Sequence, residues 1–493
     1  MLSSGLLCRY VLMPWFWIDA VTFLSLMNIR ITLPLLFVVL AGQAGASGYR
    51  FGSQSVSAQG NADANSAEAA DAASQFYNPA GLTRIRSPQM QIGGTFVIPH
   101  FSYTDNGSKT FLGQSTGGVN PHGVAPDVAV APNFYYVRPL TSQATFGLGV
   151  YVPYGAKLDY GDSWAGRYSL TSIELVSLAI NPSIAIKIDE QQSLGFGVSA
   201  EYMKAKLTQA VDIPSAVRAL SSSSSAATMM AAIAASGGNP AVLSNVHDAS
   251  GKNTGDDWGA GFNVGYMFEL TQNTRFGLAY RSAIHHSLSG DTTWDFSTAT
   301  ADPIVNRLLQ TQSGKLNSGA RVKITTPETA SVNVYHQLND AWALMSDVTW
   351  TRNSRLKNLN IEFPGSSNGA EVIRQNWHDT VRVSIGANYR FNEIFLLRTG
   401  FAYDQSPVRN GSLTHPALPD GDRRWYSIGL NAKVDEISSI DFAYSYVQLA
   451  NARGSYANNC NPLQTACTGN GETTQGTYKT HLQMLGISYN RLF

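Results

Sequence analysis

From Gln89 to the C-terminus, hydrophobic and polar residues alternate with a period of two. Leu194, Phe196, Val198, Ala200 and Tyr202 are separated by Gly195, Gly197, Ser199 and Glu201. Val381, Val383, Ile385, Ala387 and Tyr389 are separated by Arg382, Ser384, Gly386 and Asn388, and Ile428, Leu430, Ala432 and Val434 by Gly429, Asn431 and Lys433. This period predicts strands with one apolar and one polar face. Six connections between the runs are short, near Leu140–Ala144, Asp189–Gln192, Thr271–Thr274, Asn339–Ala341, Asn392–Glu393 and Asp435–Ser438. Seven long ones alternate with them, at about 104–128, 159–166, 209–253, 291–319, 360–376, 407–422 and 452–476. Thirteen connections imply 14 strands with both chain ends on one side. Short turns at one end and long loops at the other are the pattern of an outer-membrane barrel, whose closure removes the sheet edges that lipid does not tolerate. The fold expected is all-β: a 14-stranded antiparallel transmembrane β-barrel in the outer membrane of a Gram-negative cell.

Residues 47–86 do not alternate. They are small, polar and Ala-rich, with a short helix candidate at Ala67–Ala73 and a turn signal at Asn78-Pro79-Ala80-Gly81. Such a segment cannot bury a core of its own, so it must pack against or inside something else. Before it, Ile29-Arg30, the apolar run Ile31–Leu40 and Ala44-Gly45-Ala46 form a signal peptide, with cleavage expected after Ala46 and Met27 the better initiator. The expected organisation is therefore 1–46 signal region, 47–86 N-terminal segment and 87–493 barrel, with loop 209–253 partly helical.

Composition sharpens this in three places. With 34 basic and 34 acidic residues the formal net charge is zero, which argues against a nucleic-acid partner. The mean hydropathy of −0.10 is what alternating barrel strands produce, and an ordinary secreted β protein gives a similar value. Cys460 and Cys467 lie in a polar loop and read, in an exported protein, as a local disulfide. The last strand ends in Phe493, a terminal aromatic typical of barrels handed to the outer-membrane assembly machinery.

A set of short motifs, in order along the chain, resembles the FadL/TodX-type outer-membrane transporters of fatty acids and hydrophobic compounds. They are Ser47-Gly48-Tyr49, Asp71-Ala72-Ala73, Asn78-Pro79-Ala80, Trp258-Gly259-Ala260-Gly261-Phe262-Asn263, Leu278-Ala279-Tyr280-Arg281-Ser282, Pro327-Glu328, Arg398-Thr399-Gly400 and Asp404-Gln405-Ser406-Pro407-Val408. The resemblance implies a hatch plugging the lumen, with Asn78, Pro79 and Ala80 as its motif. It also implies an inward kink in the third strand that opens the wall laterally. That strand resembles 144–158, and Pro153, Tyr154 and Gly155 fall inside it, where Pro cannot donate to the ladder and Gly weakens it.

The function expected is passive transport: capture on the loops, a lumen site, a hatch shift and exit at the kink. Burying a chain of about 14 methylenes gains roughly 11 kcal/mol at about 0.8 per CH₂, against about 1.5–3 for one charge-assisted contact to a carboxylate. The site should thus be mostly apolar, with a basic residue setting head-group preference. The family uses lumen-facing basic residues, and Gln209 stands where one is expected here. Lys204, Lys206, Arg321 and Lys323 are the candidates to replace it. Leu220, Met229, Met230, Ile233 and Leu308 are candidates for capture, Met suiting a surface that fits varied ligands. The expected partners are a long-chain fatty acid or other hydrophobic molecule, outer-membrane lipids including lipopolysaccharide, and the barrel assembly machinery, with the protein a monomer. No cofactor, metal or enzymatic site is expected. Gly113-Gln114-Ser115-Thr116-Gly117 lies in a polar loop instead of a strand–helix elbow. His285 and His286, adjacent on a strand, point to opposite faces. The alternatives are a channel for neutral aromatic hydrocarbons, an outer-membrane lipase, an adhesin and a general porin, the last disfavoured by the plug.

Overall fold

The computed structural model describes residues 48–364, 369–458 and 471–493. The expected signal region, its cleavage site and the Cys460–Cys467 pair lie outside the described residues.

Fourteen antiparallel staves form the wall: β1 (Gln89–Asp105), β2 (Ala129–Pro139), β3 (Ala144–Tyr151, resuming at Gly155–Asp159), β4 (Ser172–Lys187), β5 (Gln192–Val211), β6 (Ala249–Thr271), β7 (Thr274–Arg281, resuming at Ile284–Asp295), β8 (Ser318–Thr326, resuming at Thr329–Gln337), β9 (Trp342–Thr351), β10 (Thr380–Arg390), β11 (Phe395–Asp404), β12 (Arg423–Lys433), β13 (Ser438–Leu449, resuming at Ala452–Ala457) and β14 (Thr473–Leu492). The sheet closes because β1 pairs with β2 on one side and, from Gln89↔Leu492 to Asp105↔Gly476, with β14 on the other. A small hairpin, Asn358–Glu362 with Glu371–Arg374, extends the wall into the long-loop end.

All six short turns are built alike. In each, a Thr, Asp or Asn side chain accepts hydrogen bonds from backbone amides two or three residues on. Asp189 Oδ1 takes Gln191 N (2.8 Å) and Gln192 N (2.7 Å), and Asn392 Oδ1 takes Ile394 N (2.9 Å) and Phe395 N (2.8 Å). Thr141, Thr271, Asn339 and Asp435 do the same at the others. These turns match the positions expected from sequence, and their chemistry is the reason they could be seen there.

The alternation runs in reverse of a water-soluble sheet. Val198 and Ile385 are 48% and 55% exposed on the outer surface, whereas Ser199 and Ser384 are 5% and 2% exposed on the inner one. The outer face is thus continuously apolar and the lumen wall carries the polar set. This holds at the level of the hatch. Nearer the long loops the lumen face itself becomes apolar, with Ile173, Leu175, Met203, Leu288 and Ile324 all buried.

Inside the lumen sits the N-terminal segment, with helices α1 (Val56–Gly60) and α2 (Ser74–Tyr77) and a 3₁₀ turn at Pro79–Arg84. The helix expected at Ala67–Ala73 does not form. Ala69 has a positive φ, and the Ala67 and Glu68 carbonyls accept hydrogen bonds from Arg275 of the wall (2.9 and 3.0 Å) instead of closing helical turns. The hatch docks where the wall is bare of side chains. A Cβ added to Gly400 would lie 2.1 Å from the Asn61 carbonyl carbon, and one on Gly195 would lie 2.3 Å from Ala80 N. Above the wall, α3 (Ile213–Ser221) and α4 (Ala226–Ala235), both within loop 209–253, and α5 (Pro303–Ser313), in the next long loop, roof the long-loop end.

Gly400→Val tests this docking. The barrel should still form, read as heat-modifiable migration on a gel, because the wall ladder is untouched. The hatch should lose its seat, and ion conductance in planar bilayers should rise well above wild type. Conductance equal to wild type would show that the hatch does not seal the lumen at this contact.

Candidate functional site

The wall has one conspicuous break beside the lumen. The β2–β3 ladder runs from Pro139↔Thr145 to Phe134↔Val150 and stops there. Beyond it, Gly155–Asp159 pairs with β4 alone, and Ala129–Asn133 of β2 pairs with β1 alone. Against β4, the register shifts between Tyr151↔Ala179 and Gly155↔Val176, so three residues of β3 oppose two of β4. That is a bulge, which bends the strand. Pro153, Tyr154 and Gly155, singled out from sequence, occupy it, and all three are buried.

The partner that β2 does not supply comes from the hatch. Phe51 N donates to the Pro153 carbonyl (2.8 Å), and Gly155 N donates to the Tyr49 carbonyl (2.8 Å). Arg50 faces Tyr154 in an antiparallel bridge, and Gln54 Nε2 donates to the Val152 carbonyl (2.7 Å). Residues 49–51 thus act as a short extra strand laid along the kink. Farther along the hatch, Asn78 fastens it to the wall at β6 and β7. Its Nδ2 donates to the carbonyls of Tyr266 (3.1 Å) and Leu278 (3.4 Å) while its Oδ1 accepts Ala80 N (3.1 Å) and caps the Pro79–Arg84 turn. Pro79 stands at the start of that turn, where its missing N–H is no loss, and Ala80 is fully buried against Gly195.

On the long-loop side of Tyr49 lies an apolar pocket of about 760 Å³ of empty space, part of it open to solvent. Tyr49, Leu175, Leu207, Leu288, Val322 and Leu359 are among its lining. Its size and lining suit an alkyl chain. The Tyr49 ring packs at a tilt against Tyr154 (ring centres 5.2 Å apart) and Trp377 (6.0 Å), so one ring touches both the pocket and the kink.

The head-group candidates divide by strand parity. On β5, Met203, Ala205, Leu207 and Gln209 take the inward positions, and on β8 Ala320, Val322 and Ile324 do. Lys204, Lys206, Arg321 and Lys323 therefore have outward parity, which corrects the expectation that they face the lumen. The physical reason is that here the lumen face is the apolar one. Lys204 and Lys323 are exposed on the outer surface, whereas Lys206 and Arg321 border the apolar pocket at its edge. Gln209 does face inward and donates to Glu371 (3.1 Å).

The loop residues divide as well. Met229 and Ile233 are buried with Val217, Val305 and Trp294 in the core of the roof, so they hold the helices together instead of lying free. Leu220 and Leu308 are half-buried against that core, and Met230 is exposed. The roof core shares Leu207, Val322, Ile361 and Ile373 with the pocket below, so apolar surface is continuous between them. His286 and His285 point apart as expected. His285 is exposed, and His286 is buried with Nε2 at 3.0 Å from Glu201 Oε1. In the sequence Tyr49 is only part of the Ser47-Gly48-Tyr49 motif, and nothing in its spacing marks it as the shared wall of pocket and kink.

Asp71 of the hatch borders an opening at the short-turn end and accepts hydrogen bonds from Ser57 Oγ and Ala73 N (3.0 Å). Burial raises its carboxyl to about 6, the Ser57 hydrogen bond opposing and the Asp441 charge adding to the rise. In the unfolded chain the value is 3.8, so the docked hatch binds the proton more tightly. This contribution favours docking below about pH 4, fades as pH rises to about 6, and is level above that. Leak conductance should accordingly be lower at about pH 5 than at about pH 7, and Asp71→Asn should flatten this difference. A pH response unchanged in the variant would assign it to another group.

A family model described as "Outer membrane protein transport protein (OMPP1/FadL/TodX)" matches residues 37–493. An outer membrane protein of Neisseria meningitidis serogroup B is 32% identical over 466 residues, covering 92% of this chain and 96% of the relative. A long-chain fatty acid transport protein of Escherichia coli O6:H1 is 28% identical over 428 residues, 84% of this chain and 90% of the relative. The crystal structure of a Pseudomonas aeruginosa FadL homologue superposes with a TM-score of 0.76 at 23% identity, over 90% of this chain and all of that one.

Proposed function

The chain belongs to the OMPP1/FadL/TodX family of outer-membrane transport proteins, barrels that carry fatty acids and hydrophobic compounds, and from that premise we propose a route for its ligand. A long-chain fatty acid or similar amphiphile lands on the loop roof at Met230 and the half-buried Leu220 and Leu308. It slides along the shared apolar surface into the pocket lined by Leu175, Leu288 and Val322. Displacement of Tyr49 then frees the kink, and the ligand leaves sideways between β2 and β3. The driving force is a concentration gradient, because burial and release of the alkyl chain need no other input.

The observation that carries this reading is Tyr49 itself. Its ring lines the pocket and packs on Tyr154, and its carbonyl holds Gly155 across the wall break. A ligand that fills the pocket competes with the ring that keeps the segment in place, which couples occupancy to opening. The hydrogen bonds at stake are few, each worth about 1 kcal/mol net, so a ligand burying several methylenes can offset them.

A second reading has one observation in its favour. Gln209 is inward where a basic residue was expected and donates to Glu371, so this side chain offers no charge to a carboxylate. A neutral hydrocarbon would fit such a pocket. Outside the barrel, the exposed Lys204 and Lys323 would meet phosphorylated outer-leaflet lipid, and Phe493 would serve recognition by the assembly machinery.

The test is uptake of radiolabelled oleate and of toluene by cells lacking their own transporter. Wild type should raise oleate uptake, and the pair Pro153→Val with Gly155→Val, which favours a continuous strand, should abolish the gain. Binding of a fluorescent fatty acid to the purified variant should persist, because the pocket is left intact. Uptake that survives the double change would rule out exit at the kink. Toluene uptake without oleate uptake would favour the neutral-hydrocarbon reading.

A further inference from the structure

Residues 49 and 50, adjacent in an extended segment, face two different compartments. Tyr49 lines the apolar pocket, and Arg50 lines a second cavity of about 600 Å³ of empty space between hatch and wall. This chamber is polar: Arg281, Arg382, Asp63, Asp347, Ser331 and Ser384 also border it. Three guanidiniums thus face two carboxylates, and both carboxylates are already engaged. Asp63 pairs with Arg382 (2.9 Å) and accepts from Ser53 Oγ (2.8 Å), and Asp347 accepts from Ser66. Two carboxylates close enough to influence Arg50 or Arg281 are taken as well, Asp404 by Arg423 (3.7 Å) and Glu201 by His286 (3.0 Å).

Arg50 and Arg281 are left without a carboxylate. Arg281 donates to Tyr151 Oη (2.9 Å) and the Phe76 carbonyl (2.9 Å), and its guanidinium lies 4.6 Å above the Phe76 ring. Those are neutral partners at the base of the kink. The Arg50 side chain has no hydrogen-bond or ion-pair partner among the described residues, although it is partly enclosed. A half-buried guanidinium held against a wall with no acceptor is unfavourable unless something else supplies one, since burying an unpaired charge is costly. A planar fork of donors is also the group best suited to a carboxylate.

We propose that Arg50 and Arg281 form a carboxylate site at the exit, which takes the ligand's head group as its alkyl chain leaves the apolar pocket. This rests on the transport reading above and adds to it a head-group site beside the kink. The arrangement also gives the head group a basic partner although Gln209 is uncharged. The head group is met below Tyr49, beside the opening, and not among the loops. Because Arg50 sits on the segment that seals the kink, a carboxylate drawn to it acts on the element that must move.

The experiment uses the full-length protein in cells lacking their own transporter, with oleate and the neutral oleyl alcohol as probes. Arg50→Gln removes the charge and breaks no side-chain contact, so folding and hatch seating should be retained, checked by heat-modifiable migration and by leak conductance. It should lower initial oleate uptake roughly tenfold or more, the fold-change of one charge-assisted pair. Arg50→Lys should restore most of it, and any alcohol uptake should be unaffected by either change. Arg281→Gln should act like Arg50→Gln, and Arg281→Lys should keep activity. Oleate uptake in Arg50→Gln equal to wild type would overturn the site, as would equal losses in Arg50→Gln and Arg50→Lys, or losses equal for acid and alcohol. Failure of wild type to carry either probe would instead overturn the transport reading on which the site depends.

Discussion

Lipid offers no hydrogen bonds, so every backbone amide and carbonyl in the wall must find its partner within the protein. Most of the wall obeys this by simple closure, from β1 paired with β14 round to β1 paired with β2. The break between β2 and β3 is where closure fails, and it is tolerated because residues 49–51 supply the missing partners from inside. The hatch is therefore more than a stopper. It completes the sheet where the β2–β3 ladder stops, and its presence there is what makes the interruption at Pro153 compatible with a membrane.

The same constraint divides the lumen. Around the hatch the inward face is polar and glycine-bared, so a strand-poor segment can lie against it through side chains such as Asn78, Asn61 and Arg382. Hydrogen bonds of this kind are worth about 1 kcal/mol each net, so the seat of the hatch is the sum of many small contacts. Nearer the loops the inward face turns apolar, which makes a space that favours alkyl chains over water. Tyr49 and Arg50 stand at the boundary, one side chain in each environment.

The loop roof illustrates a different economy. Its helices are short and could not persist alone, so Met229, Ile233, Val217 and Val305 are committed to holding them together. Apolar residues in a long extracellular loop thus serve first as a small core, and the surface left for a ligand is the minority, Met230 above all. Continuity of that core with the pocket, through Leu207 and Val322, is what makes the roof more than a cap.

Sequence by itself determined the number of staves, their turns and an N-terminal segment that has to pack on something else. Those features rest on local rules: period-two alternation, Asp, Asn and Thr capping the amides of tight turns, and a segment too polar to fold alone. It also marked Pro153, Tyr154 and Gly155, because proline and glycine disturb a ladder wherever they fall. Only the tertiary structure decided which face of each strand looks inward near the loops. There the lumen is apolar, and the parity that would put Lys204 and Lys323 inside puts them outside. Only the tertiary structure, too, brought Tyr49 to Tyr154 and Arg50 to Arg281, residues more than a hundred positions apart or on opposite sides of the lumen. No local pattern encodes such pairs, because they depend on where a closed wall happens to face its own plug.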